Sequence, residues 1–173
     1  MARMARISKG FTLIELIIAI AVLAVLVAAA APSFKGQIEA RRLLKVADEL
    51  QWTMTQAKSF AVMQNKLAYV HILGGGGDWC VVVGAWDDPP KSCDNSAISS
   101  WPFFTSSKKN KRIQFSYTGN DLISVDPVRG SFNQGGSLKV FTGDTSTVSV
   151  SYLQNGRVRK CAVGGKAYGL PSC

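Results

Sequence analysis

The residues of this chain that could do chemistry fall into three groups, and the first is a carboxylate where lipid is expected. In Gly10-Phe11-Thr12-Leu13-Ile14-Glu15, Glu15 opens an apolar run, and between positions 11 and 34 it is the only ionisable side chain. An ionised carboxylate among lipid tails costs at least about 2.5 kcal/mol, so it calls for a cation. The run supplies none. Cutting the chain after Gly10 would, because the new amino group of Phe11 is positive and lies one helical turn from Glu15. The second group is the four cysteines, Cys80, Cys93, Cys161 and Cys173. None forms a CxxC pair and His71 is the only histidine, which argues against zinc. In an exported chain the even number reads as two disulfides. Alternative pairings exist; the shortest loops favour Cys80 with Cys93 and Cys161 with Cys173, each bond stabilising by roughly 3 kcal/mol on the chain-entropy account. The third group is basic: Lys108-Lys109-Asn110-Lys111-Arg112 and Gly156-Arg157-Val158-Arg159-Lys160.

None of these groups makes an enzyme. There is no Ser/His/Asp set, Asp87, Asp88 and Asp94 sit in a loop without a partner base, and no Gly-Lys-Ser/Thr follows the run Gly74-Gly75-Gly76-Gly77, which therefore reads as a flexible turn rather than a phosphate loop. No cofactor or metal is expected. With 20 basic against 11 acidic residues the formal charge is +9, a balance that suits polyanions: nucleic acid, anionic lipid or acidic polysaccharide. The positive charge is concentrated in the C-terminal half.

The elements that position these groups follow from periodicity. Residues 1–10 carry Arg3, Arg6 and Lys9 and no acid, a basic leader that stays cytoplasmic under the positive-inside rule. Residues 11–34 are long enough to span about 30 Å of hydrocarbon as a helix. An ordinary cleavable signal ending near the alanines at 28–31 competes with this reading, but the run is long for one and holds a carboxylate. Pro32 and Gly36 predict a bend where the span ends. Residues 35–65 continue as an amphipathic stem, with Ile38, Leu43, Leu44, Val46, Leu50, Met54, Ala57 and Ala61 on one stripe and Arg41, Arg42, Lys45, Asp48, Glu49 and Lys58 on solvated faces. From residue 66 the period falls to two. Strands are expected at 66–73, 78–85, 112–118, 122–125, 138–142, 147–153 and 158–163, with an irregular stretch at 86–107. Asn155-Gly156 between alternating runs signals a hairpin. The fold class is α+β: a long N-terminal helix packed on an antiparallel domain, residues 66–173, of about seven short strands. Strand alternation turns Arg157 and Arg159 to one face and Val158 inward. A polyphosphate would relieve the repulsion between two such guanidiniums, and Tyr168 is placed to add a stacking surface.

Gly10-Phe11-Thr12-Leu13-Ile14-Glu15, behind a basic leader and ahead of an uninterrupted apolar run, resembles the prepilin motif of type IV pilins and type II secretion pseudopilins. The resemblance implies cleavage after Gly10 and methylation of Phe11 by a prepilin peptidase, and recruitment into a filament of major and minor pilins through Glu15. It also implies a single pass through the inner membrane with the N-terminus cytoplasmic and the C-terminal domain periplasmic, followed by transfer to a pilus at the cell surface. With the Gly-Arg-Xaa-Arg at 156–159 the whole chain is similar to the FimT/FimU and GspH-like minor pilins, most of all to FimT-type members implicated in binding DNA for natural transformation. On that resemblance the DNA contacts are Arg157 and Arg159, joined by Lys160, Lys108, Lys109, Lys111 and Arg112 from the basic clusters. The alternatives are a structural minor pilin that primes pilus assembly and a minor pseudopilin of type II secretion, neither binding DNA.

Overall fold

The computed structural model describes residues 11–143, 146–164 and 169–173, and of residues 30–35 and 146 the backbone only. The chain divides into two compact units, Met1–Ile38 and Glu39–Cys173. Helix α1 runs over Leu13–Gln64, and its backbone stays helical through Pro32 and Gly36. The bend expected at Pro32 falls on residues whose side chains lie outside the described ones. So does part of the expected span at 11–34; among the described residues no helix is long and apolar enough to cross a membrane.

Both ends of α1 are closed by local chemistry. At the C-terminal end Asn65 takes a left-handed conformation, φ 49°. It donates its N–H to the Val62 carbonyl at 3.2 Å, while Lys66 donates to Ala61 at 3.3 Å. This pair of bonds satisfies carbonyls that the helix leaves orphaned, and asparagine tolerates the conformation it needs.

In the second unit Leu43, Val46, Ala47, Leu50, Met54, Ala57 and Ala61 are buried at no more than 1% exposure. They form one stripe at helical spacing. Ile38, expected on that stripe, is 49% exposed and Leu44 only partly buried, while Ala47 takes part instead. The stripe packs on two antiparallel sheets. The strands are β1 Ala68–Gly75, β2 Asp78–Gly84, β3 Phe103–Ser106, β4 Gln114–Thr118, β5 Leu122–Val125, β6 Gly136–Thr142, β7 Ser146–Tyr152 and β8 Val158–Val163. Sheet A has the order β3-β2-β1-β5 and sheet B the order β4-β6-β7-β8.

There are thus eight strands where about seven were expected. The stretch at 86–107, expected to be irregular, also holds a one-turn helix, α2, at Asn95–Ile98. β3 pairs through Val83 with Phe103 and Cys80 with Ser106. Its four residues follow Pro102 and show no alternation of their own; only pairing with β2 makes them a strand. β2 is buried on both faces. Trp79, Val81 and Val83 enter the core under α1. Cys80 and Val82 instead meet Cys93, Ile98 and Trp101 on the opposite face, where the Cys80–Cys93 disulfide fastens the covering segment.

The glycine run is a tight turn rather than a flexible one. Gly74 and Gly75 lie in the β1–β2 ladder opposite Trp79 and Asp78. Gly76 exchanges two 2.8 Å backbone bonds with Phe115 of β4. That exchange joins sheet A to sheet B, and a left-handed φ of 59° at Gly76 permits it.

Candidate functional site

Of the prepilin-type residues, Gly10 lies outside the described residues. Phe11 is 80% exposed. Thr12 stands just before α1, and its hydroxyl accepts the N–H of Glu15 at 3.3 Å. Its carbonyl accepts the N–H of Leu16 at 3.2 Å. Thr12 is therefore the N-cap, in the Thr-x-x-Glu spacing of a capping box. Glu15 sits in the first turn, where a carboxylate faces the positive end of the helix dipole. The prepilin motif is also a helix-start signal, and sequence reasoning that looked only at Glu15 overlooked Thr12.

The Arg157–Arg159 pair is built on the β7–β8 hairpin. The register ends at Tyr152 opposite Val158. Leu153 donates its N–H to the Arg157 carbonyl and Gly156 donates to the Leu153 carbonyl, both at 2.9 Å. The loop is a turn followed by a left-handed glycine, φ 80°, a form that Asn-Gly favours. Arg157 and Arg159 are exposed, and Val158 between them packs on the core. Neither arginine has an ion-pair partner among the described residues.

Lys160 does not join them. It turns to the other face and pairs with Asp48 of α1, because alternate strand residues face apart. Lys58 does come close: its Cε lies 3.3 Å from where a Cβ on Gly156 would stand, and 3.4 Å from the same point on Gly130. Arg129 precedes Gly130 on a turn where Asp126 accepts the N–H groups of Val128 and Arg129, each at 2.8 Å. Those two donors hold the Asp126 carboxyl below its usual pKa, with a smaller contribution from the Arg129 charge. Lys58 and Arg129 were legible only as charges on other elements. Tyr168 lies outside the described residues.

The second basic cluster forms a different site. Lys108, Lys109, Lys111 and Arg112 occupy the exposed connection between β3 and β4, and with Arg42 and Lys45 of α1 they line a groove of about 460 Å³. Val46 and Ile113, both buried, form its apolar floor. Asn110 anchors the connection, donating its side-chain amide to Glu49 at 3.0 Å and to the Ser106 carbonyl at 3.2 Å. Lys108 is taken up by Asp94 at 3.3 Å and Asp78 at 3.9 Å. A hydroxyl bond from Ser92, and after it Lys108, lower the pKa of Asp94. Lys109 stands over the Phe104 ring at 5.2 Å.

The two clusters do not share a surface. β4 and β8 are opposite edges of sheet B, three strand spacings or roughly 14 Å apart. On the helix, Arg42 and Glu49 flank the buried stripe on one side and Lys58 on the other, at about 100° per residue. Among the described residues no three His, Cys, Asp or Glu side chains gather in a way that could hold a metal ion.

A capped N-terminal helix behind a prepilin-type motif, packed on antiparallel sheets, defines a minor pilin or pseudopilin of type IV pili or type II secretion. The comparisons give the family. Residues 46–157, more than half of the chain, match the family "Type II transport protein GspH", and residues 5–31 match the "Prokaryotic N-terminal methylation motif". The chain belongs to the GspH family. Among solved structures it is similar to the type IV minor pilin FimU of Pseudomonas aeruginosa in two crystal forms. One shows 17% identity and a TM-score of 0.54 over 72% of this chain and 96% of that one. The other shows 16% and 0.55 over 73% and 92%. The minor pseudopilin EpsH of the Vibrio cholerae type 2 secretion system is 13% identical, with a TM-score of 0.49 over 70% and 97%. No curated protein matches. Membership implies processing by a prepilin peptidase, assembly with other pilins and a membrane-anchored precursor.

Proposed function

We propose that the chain is a minor type IV pilin that binds DNA without sequence preference during uptake for natural transformation. Residues 1–10 are the leader, removed after Gly10 with methylation of Phe11. Residues 11–34 anchor the subunit in the inner membrane, with its C-terminal domain periplasmic. Glu15 meets a positive N-terminus in the filament, the stem at 35–65 leads to the β domain at 66–173, and the subunit passes to the cell surface in the pilus. The observation that carries the DNA reading is the exposed Arg157 and Arg159 flanking Val158 at the start of β8, neither of them ion-paired among the described residues, with Lys58 packed beside their turn. Phosphates spaced along a backbone match such a row of cations. Lys160, held by Asp48, supports the surface rather than touching the ligand. Lys108, Lys109, Lys111 and Arg112 lie off this surface.

The test is a mobility shift with the full chain in uncharged detergent. Duplexes of unrelated sequence should bind alike at low salt, and Arg157→Gln with Arg159→Gln should weaken all of them equally. Absence of binding at low salt would sink the reading. A purely structural role in pilus assembly or type II secretion is the second reading, favoured by the GspH match over residues 46–157. In that role the double variant would lose partner pilins in pull-downs instead.

A further inference from the structure

The groove between α1 and the β3–β4 connection is a second anion site, and it differs in shape from the arginine row. Six cations face it, yet among the described residues only Lys45 and Lys108 have carboxylate partners. Arg42, Lys109, Lys111 and Arg112 are exposed there without one. Four cations gathered in one groove repel each other, and an anion between them removes that repulsion. The backbone supports the same reading: Arg112 is held at φ 81°, a left-handed conformation that a long side chain rarely adopts. The connection is held in place by the buried Asn110 between Glu49 and Ser106, so the cations are presented in one arrangement.

We propose that this groove binds the phosphate of an anionic lipid headgroup. Three observations favour lipid over nucleic acid. The groove is recessed, and its volume of about 460 Å³ is that of a small-molecule site rather than a track for a duplex. Its floor is aliphatic, Val46 and Ile113, and none of its lining residues is aromatic, so bases have nothing to stack on. Two of its cations, Arg42 and Lys45, belong to the helix whose earlier residues are the exposed apolar run beginning at Leu13. The inference rests on the membrane-anchored reading above but not on DNA binding.

The experiment uses the full chain in uncharged detergent and native mass spectrometry, titrated with phosphatidylglycerol, phosphatidylcholine or inorganic phosphate. Phosphatidylglycerol should be retained in preference to phosphatidylcholine, and millimolar inorganic phosphate should compete only weakly. Arg42→Gln with Lys111→Gln should lower the apparent phosphatidylglycerol affinity about thirty-fold, from on the order of five-fold per surface cation. Arg157→Gln with Arg159→Gln should leave it unchanged. Equal retention of the two lipids, an unaffected groove variant, or full displacement by inorganic phosphate overturns the proposal. So does a duplex DNA signal lost with the groove variant. A separate alkaline-wash extraction of cell membranes reads anchoring itself, so a chain that stays in the membrane but shows no lipid preference refutes the groove alone.

Discussion

Replacing Arg157 and Arg159 by glutamine should change how DNA binding responds to salt more clearly than it changes affinity at any one salt. Both side chains are exposed at the start of β8 and have no carboxylate partner among the described residues, so each can displace a counterion. Lys58 adds a third charge beside the turn, while Arg129 is partly offset by Asp126. Three phosphates neutralised give a slope of log affinity on log salt of about −2.7, so raising salt from about 50 to 200 mM weakens binding about forty-fold. The double variant retains one such contact, and the same change should weaken it only about three- to four-fold. Fluorescence anisotropy with a labelled duplex of fixed length, read at several salt concentrations, gives both slopes. Parallel slopes for the wild type and the variant would refute the counting, and with it the assignment of phosphate contacts to this hairpin. Arg42→Gln with Lys111→Gln, on the other flank of α1, is the internal control and should leave the slope as it is.

Gly156→Ala should lower stability by about 1–3 kcal/mol, because the residue holds φ 80° and a Cβ there would stand 2.5 Å from the Gly130 carbonyl oxygen; chemical denaturation measures it. Cys80→Ser with Cys93→Ser should cost about 3 kcal/mol and open the segment covering Ile98 and Trp101 to protease before the rest of the domain, read by limited proteolysis. Asp126 and Asp94 have folded pKa values held below the unfolded one. Their contribution is therefore complete above about pH 4 and is lost as pH falls through the lowered values; the protection of the Val128 and Arg129 amides, taken relative to the intrinsic exchange rate at each pH, should fall on acidification in that window. Gly10→Val should leave an unmethylated precursor that still carries residues 1–10, seen by intact mass.

Much of this fold is legible in the sequence because its signals are local. The stripe from Leu43 to Ala61 has one period and one buried face, and Asn155-Gly156 announces its own hairpin. The two disulfides, Cys80–Cys93 and Cys161–Cys173, close loops short enough to infer. What is not legible depends on distant partners. β3 is a strand only because β2 offers it an edge, and the glycine run is rigid only because Phe115 bonds Gly76. Arg42 and Lys45 read as solvated helix charges until the β3–β4 connection folds against them. Lys160 and Arg159 look equivalent in sequence, yet Lys160 is bound to Asp48 and Arg159 has no ion-pair partner among the described residues.

The placement of the two disulfides also determines how the domain gives way under tension. Each bridge removes its loop from the length that pulling can release. With sequence separations of 13 and 12, the two together withhold on the order of 75 Å of contour. The second bridge ties Cys173 to β8, next to the backbone bonds that join Ala162 to Pro171 and Cys173. Residues 171–173 are thus fastened to an edge strand, and a load entering through α1 is borne by residues 65–80 and 93–161, the two stretches that the Gly76–Phe115 joint connects.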